Sequence, residues 1–151
     1  FSDAIKLVFH VIMLDMKREE INSLSTRLKL STKLNSSIVD GTKLYQAQLE
    51  IIELRNSQVF NIFENCSSMV LYVNYQLSDN VKFRDKIIQY LHDWRFVKPF
   101  TSGQKLRNLK IDSGPRYAQI LDSIKSAWLD GEIKNEAEEK VFLNGLLKNE
   151  K

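Results

Sequence analysis

Apolar side chains recur at intervals of three and four residues through most of this chain of 151 residues. That spacing places them on one face of an α-helix, whereas a half-buried strand would need alternation at every second residue. Only two prolines and five glycines interrupt the pattern. Hairpin signals are limited to Asp40-Gly41, Asp130-Gly131 and Asn144-Gly145, which we place at helix ends. We therefore predict an all-α fold without a sheet.

The same periodicity predicts ten helices. They span residues 3–14, 17–28, 31–40, 43–55, 57–65, 67–77, 79–95, 102–109, 115–130 and 135–147. Ser31 and Ser102 are predicted N-caps, because a serine hydroxyl accepts from the unpaired amides of a first turn. Pro115 suits the first position of a helix, and Gly131 suits a left-handed C-cap.

A joint is predicted at Lys98-Pro99, because proline disfavours a helical conformation in the residue before it. We predict a helical bundle, called the body, over residues 1–98 and a smaller helical tail over residues 99–151. No repeat of fixed length is visible, so a regular solenoid is not expected. The chain begins inside a helical pattern, and we expect it to be part of a longer protein.

Cysteine, histidine and apolar content exclude several classes of function. One cysteine, Cys66, rules out an internal disulfide and fits a reducing compartment, and we expect it to be a buried, unreactive thiol. Cys66, His10 and His92 together supply too few ligands for a typical zinc site. The apolar run over residues 7–14 is shorter than the roughly 20 residues that span a bilayer. We therefore expect no metal, no cofactor and no membrane partner for this chain itself.

Enzyme motifs are also missing. The chain has no Gly-x-Ser-x-Gly step, phosphate-binding loop or dinucleotide fingerprint. An acidic cluster occurs near the end of the chain, comprising Glu132, Glu136, Glu138 and Glu139. Because acids are favoured in the first turn of a helix, we predict that this cluster is a solvated helix face and not a metal site. Trp128 is predicted to be a core residue.

Positive charge is concentrated in the middle of the chain. The formal net charge is +3, but residues 82–116 carry nine basic and three acidic side chains. The preceding residues carry eight basic and nine acidic side chains, and the following residues carry five and seven. A concentrated basic segment indicates contact with a phosphate backbone or with an acidic protein surface.

The predicted helix from Asn80 to Arg95 borders its apolar stripe with two arginines. Arg84 and Arg95 are eleven residues apart, about 16 Å along a helix axis. They either contact successive phosphates or are solvated residues beside a core helix. Further along, Gly114-Pro115 opens a helix whose N-terminus favours an anion. The candidate RNA-contact residues are Arg84, Lys86, Arg95, Lys98, Lys105, Arg107, Lys110 and Arg116.

A motif of about forty residues carries a resemblance to a known family. It comprises Trp94-Arg95-x-Val97-Lys98-Pro99, Gly103, Leu106, Gly114-Pro115, Ile120-Leu121, Ala127 and Leu129-Asp130-Gly131-Glu132-Ile133. This motif resembles the C-terminal part of bacterial tRNA nucleotidyltransferases, the CCA-adding enzymes and their poly(A) polymerase relatives, especially the cyanobacterial and organellar type. The segment from Arg27 to Ser31 and the helix over residues 57–63 resemble the body of that family less specifically.

The chain also departs from the family pattern. Lys105 stands where the family usually carries an acid, Lys110 where a glycine is common, Ser113 in place of a proline and Ala118 where a glycine often occurs. The family's catalytic sheet has an Asp-x-Asp pair that binds two magnesium ions, and no such pair occurs here. The resemblance therefore implies a piece with no catalytic residues, whose parent binds Mg²⁺ and CTP or ATP in a separate N-terminal domain.

The resemblance implies a tRNA-holding role in which body and tail grip the acceptor stem and elbow. It further implies contact with the catalytic and head domain of the same chain, in the bacterial cytoplasm or in an organellar matrix or stroma. The resemblance does not decide whether the protein forms a homodimer. It also does not decide whether the parent adds CCA, CC, A or poly(A). The alternative is a helical protein-interaction or oligomerisation module, and a weaker third interpretation is a complete small enzyme.

Overall fold

The computed structural model describes residues 2–109 and 114–148, which form ten α-helices and no strand. The helices are α1 (Asp3–Ile12), α2 (Arg18–Arg27), α3 (Thr32–Gln46), α4 (Gln48–Ile51), α5 (Asn56–Glu64), α6 (Ser68–Leu77), α7 (Val81–His92), α8 (Gly103–Asn108), α9 (Pro115–Leu129) and α10 (Glu136–Lys148). A 3₁₀ turn, Trp94–Phe96, follows α7. The predicted all-α fold is confirmed. None of the described helices has the length and apolar character needed to span a bilayer.

The predicted helix ends are confirmed at four positions. Ser31 Oγ accepts from the Leu34 amide at 3.3 Å, and Ser102 Oγ accepts from the Lys105 amide at 3.4 Å. Pro115 occupies the first turn of α9. Gly131 has a φ of 77°, in the left-handed region that glycine tolerates best. Local capping chemistry therefore sets these boundaries.

The predicted helix end at Asp40-Gly41 is wrong, because α3 continues through Gly41 to Gln46. Gly41 is buried where α1, α3 and α6 meet, and its carbonyl accepts from Asn74 Nδ2 at 3.1 Å. A glycine inside a helix costs about 1 kcal/mol relative to alanine. Burial of Ile38 and Leu44 on either side of it offsets that cost.

Three clusters of buried apolar residues hold the helices together. The N-terminal cluster comprises Met13, Ile21, Leu34, Ile38 and Val39. The central cluster comprises Leu44, Ile51, Val59, Phe60, Phe63, Val70, Leu71, Phe83, Ile87, Tyr90, Trp94 and Leu129. The tail cluster comprises Leu106, Ile120, Ile124, Ala127, Ile133 and Leu143. The first two clusters lie almost wholly in the range predicted for the body, and the third lies in the range predicted for the tail.

Helix α9 connects the two regions. Its residues Ile120 and Ile124 belong to the tail cluster, whereas Leu129 at its end belongs to the central cluster. The helix packs against α5 on one side and against α8 and α10 on the other. Body and tail are thus in direct contact through α5 and α9.

One acidic residue departs from the prediction of a solvated cluster. Glu132, Glu136 and Glu138 are exposed or half-buried, but Glu139 is only 1% exposed. The Glu139 carboxylate accepts from the amides of Phe100 and Thr101 and from the indole Nε1 of Trp128, the last at 2.6 Å. A buried carboxylate is tolerated only when such donors replace water. Glu139 therefore ties the body–tail joint to α9 and α10.

Candidate nucleic-acid interface

The first part of the basic segment, residues 82–116, is anchored by the buried apolar face of α7 and of the turn after it. Phe83, Ile87, Tyr90 and Trp94 are buried as predicted, and Leu91 is half-buried. The Phe63 ring lies 6.1 Å from the Phe83 ring and 5.6 Å from the Tyr90 ring, both edge to face. Aromatic pairs in this arrangement are favourable beyond their buried area. The backbone of α7 is therefore anchored to the body by its buried face.

Helix α7 ends earlier than predicted, at His92 and not at Arg95. Asp93 has φ −118° and ψ −61°, and the next three residues form the 3₁₀ turn that buries Trp94. After the turn Val97 is extended, with φ −60° and ψ 118°. Arg95 therefore lies on this turn, and its position relative to Arg84 does not follow from helix periodicity.

Two of the predicted contact residues, Arg84 and Lys86, are engaged with the body. Both are half-buried. The Arg84 guanidinium carbon lies 4.8 Å from the centroid of the Tyr75 ring, and Lys86 Nζ donates to the Leu54 carbonyl at 3.1 Å. Burial lowers the pKa of Lys86, although nearby carboxylates oppose that shift. These two cations therefore stabilise the packing of α7 against the body.

The other described candidates are exposed. Arg95 and Lys98 lie in the joint between α7 and α8, Lys105 and Arg107 lie on α8, and Arg116 lies in the first turn of α9. Within the tail, α8 packs against α9. Lys110 lies outside the described residues. These exposed cations, Arg95, Lys98, Lys105, Arg107 and Arg116, are called the outer set below.

Ion pairing leaves much of the outer set free to bind an anion. Lys105 Nζ lies 3.9 Å from Glu136 Oε1, and both side chains are about half exposed. Such a pair is weak, because water screens it. Within residues 2–109 and 114–148, Arg95, Lys98 and Arg107 form no ion pair. Their charges are therefore not neutralised by an ion pair within those residues.

The predicted unreactive thiol and the predicted core tryptophan have identifiable surroundings. Cys66 is half-buried, and its Sγ donates to the Ile62 carbonyl at 3.4 Å. Burial, with a smaller contribution from Asp40, raises the pKa of the thiol to about 11. Trp128 is half-buried against the tail cluster. In the described part of the chain, no three His, Cys, Asp or Glu side chains are grouped so as to hold a metal ion.

Sequence reasoning missed two exposed aromatic residues beside the outer set. Phe96 is 64% exposed and Phe100 is 49% exposed. The signal that could have found them is a phenylalanine on each side of Lys98, at the joint predicted from Pro99. The helical pattern that dominates the chain obscured it.

The described residues define an all-α protein with a group of exposed cations at the joint, on α8 and at the start of α9. Over 122 aligned residues, 76% of its length, the chain is 26% identical to an A-adding tRNA nucleotidyltransferase of Geobacter sulfurreducens. The chain spans only 14% of the length of that relative. No family model matches the chain, and no solved structure matches it at a significant level. The similarity supports a loose relation to tRNA nucleotidyltransferases, in the direction that the sequence motif indicated.

Proposed function

We propose that this chain is the RNA-holding part of a tRNA nucleotidyltransferase-like protein. In this role the body and tail hold the acceptor stem and elbow of tRNA, so that its 3′ end reaches a catalytic domain outside this chain. The observation that carries the proposal is the excess of positive charge over residues 82–116, together with the exposure of Arg95, Lys98 and Arg107 without ion pairs among the described residues.

Phosphate contacts fit this surface better than base-specific contacts. Flexible lysines and arginines on the outside of short helices bind phosphates by charge, and double-stranded RNA is recognised mainly by shape and by its backbone. The outer set is therefore the proposed contact surface, with Lys110 added from the sequence. Arg84 and Lys86 are proposed to contribute less, because each is already engaged with the body.

The chemistry is proposed to reside elsewhere in the parent protein. Mg²⁺ and CTP or ATP would bind a catalytic domain, since the carboxylate pair that holds two metal ions in this family is missing from the sequence. Addition of A is the first activity to test in the parent, because the relative is an A-adding enzyme. A bacterial cytoplasm or an organellar matrix or stroma is the compartment that fits such a substrate.

A titration of tRNA binding at several salt concentrations tests the proposal. The slope of log affinity against log salt falls by about 0.7 to 0.9 for each phosphate that the protein no longer neutralises. We expect Arg95→Ala combined with Lys98→Ala to weaken binding and to reduce this slope. The matched control is Arg18→Ala combined with Lys33→Ala, which removes one exposed arginine and one exposed lysine from α2 and α3. Equal behaviour of the two double variants would refute the assignment.

A second candidate function rests on the outer face of α1. Ile5, Val8, Val11 and Ile12 are 44 to 64% exposed, while the opposite face buries His10 against Ser37 of α3. An apolar helix face in water is typical of a protein-docking surface. A protein-interaction or oligomerisation module would associate more strongly at high salt, whereas tRNA binding would fade. Light scattering of wild type and Val8→Asp across a salt series separates the two functions.

A further inference from the structure

The segment that joins body and tail carries a second kind of surface, distinct from the exposed charges. Exposure alternates along it: Phe96, Lys98 and Phe100 are exposed, whereas Val97 and Pro99 are half-buried and Thr101 is buried. Val97 packs against the central cluster. Phe96 ends the 3₁₀ turn, and the backbone becomes extended at Val97. Two exposed aromatic side chains therefore flank an exposed lysine in this segment.

Both ends of the segment are fixed. Trp94, only 7% exposed, anchors the start in the central cluster. At the other end, the buried Glu139 carboxylate accepts from the Phe100 and Thr101 amides, the first at 2.9 Å. The Phe100 ring lies 6.0 Å from the Trp128 ring. The exposed rings are thus presented by an ordered backbone, which reduces the entropic cost of binding a ligand.

We propose that Phe96, Lys98 and Phe100 form a binding site for an unpaired RNA strand, in which bases stack on the two rings and Lys98 contacts the intervening phosphates. Aromatic platforms interleaved with cations are how proteins hold single-stranded nucleic acid without reading its sequence. The Arg95 guanidinium carbon lies 5.9 Å from the Phe96 ring centroid, which adds positive charge beside that platform. This site rests on the proposed RNA-holding function and extends it from paired stems to unpaired nucleotides.

The length of the segment sets the geometry of this site. A fully extended segment advances about 3.3 Å per residue, so the backbones of Phe96 and Phe100 are at most about 13 Å apart. In the proposed site each ring stacks on its own base, and Lys98 lies between the two rings in the sequence. A double-stranded stem cannot use the rings, because its bases are already stacked within the helix.

Three RNA probes test the proposal with the full chain: an adenosine octamer, a ribose-phosphate octamer without bases, and a hairpin whose paired stem is closed by a non-nucleotide linker. We expect the adenosine octamer to bind more tightly than the baseless one. The variant Phe96→Leu with Phe100→Leu keeps apolar volume but removes both π faces, and should weaken adenosine binding at least about fivefold for each ring. It should leave hairpin affinity and the salt slope unchanged. Phe96→Trp should preserve adenosine binding.

Tyr72→Leu is the matched control, because Tyr72 is another exposed aromatic side chain, 53% exposed, on α6. Thermal unfolding of each variant separates loss of binding from loss of fold. Equal binding of the two octamers, or unchanged adenosine affinity of the double leucine variant, would overturn the stacking site. If the hairpin still binds in a salt-dependent manner, the RNA-holding function survives that failure. If none of the RNA probes binds, the stacking site and the RNA-holding function are both wrong. Reduced self-association of the double leucine variant would then identify the two rings as a protein-docking surface.

Discussion

Asp130, the residue after α9, caps the N-terminus of α5, which begins 74 residues earlier in the chain at Asn56. Its two carboxylate oxygens accept from the amide and the hydroxyl of Ser57, each at 2.8 Å. Asn56 Nδ2 also donates to the Leu129 carbonyl at 3.1 Å. A carboxylate at a helix N-terminus is favourable because the helix dipole is positive there. Ser57 and Asp130 thus link the body to the tail.

Replacing Asp130 with alanine should lower the free energy of unfolding by about 1 to 2 kcal/mol, since it removes an N-terminal cap and leaves the Ser57 amide unpaired. Urea denaturation measures the change. Asp122→Ala is the control, because Asp122 is an exposed acid on α9, the helix that Asp130 follows. A double-mutant cycle with Ser57→Ala should give a coupling energy above about 0.5 kcal/mol. Purely additive effects would show that the two residues act independently.

Glu139 should make the joint sensitive to acid. Burial alone would raise the pKa of this carboxyl, but hydrogen bonds from Thr101, Trp128 and Phe100 outweigh burial and hold the pKa below its usual value. A group with a depressed folded-state pKa contributes stability above its unfolded pKa, about 4.3, and loses it as pH falls through the folded pKa.

Glu139→Gln should therefore lower the free energy of unfolding by about 1 to 3 kcal/mol at neutral pH, because three charge-assisted hydrogen bonds are weakened or removed. The difference from wild type should shrink below about pH 4, where the wild-type carboxyl takes up its proton. Thermal unfolding across a pH series, followed by tryptophan fluorescence, measures both effects. Glu19→Gln on α2 is the control, since Glu19 is an exposed glutamate. A difference that stays constant with pH would contradict the assigned role.

Local chemistry made part of this fold predictable. The serine caps, Pro115, Gly131 and the buried stripe of α7 depend on residues close in sequence, so short-range patterns were sufficient. Glu139 could not be placed in the same way. Its donors Thr101 and Phe100 lie 38 and 39 residues away, and acids at a helix start are usually solvated.

The same limit applies to the candidate interface. The sequence alone gave no reason to separate the eight basic candidates into exposed and packed residues. In the structure, Arg84 and Lys86 lie against the body, whereas Arg95 and Lys98 face solvent. That division depends on where Leu54 and Tyr75 pack, which periodicity does not specify. The prediction for Gly41 failed for a related reason, since burial between three helices outweighs its preference for helix ends.

Cys66 should react slowly with thiol reagents at neutral pH. Burial raises its pKa to about 11, with Asp40 adding to the shift, so the reactive thiolate is scarce. In native buffer, the rate of colorimetric labelling should be low at neutral pH and should increase steadily as the pH approaches that pKa. In denaturant, the labelling rate should show the pH dependence of an ordinary, solvent-exposed thiol. Asp40→Asn should speed labelling only slightly, because burial is the larger cause. Fast labelling of the native protein at neutral pH would show that the thiol is activated instead of inert.

Lys86 provides the sharpest distinction between a structural cation and an RNA contact. Its Nζ donates to the Leu54 carbonyl, so Lys86→Ala should lower the free energy of unfolding by about 1 kcal/mol while changing tRNA affinity and salt slope little. Lys82→Ala, on the exposed side of the first turn of α7, should leave stability within about 0.5 kcal/mol of wild type. Urea unfolding and salt-dependent tRNA binding of both variants give the values needed. A reduction of the salt slope for Lys86→Ala equal to that for Lys98→Ala would place Lys86 in direct contact with phosphate.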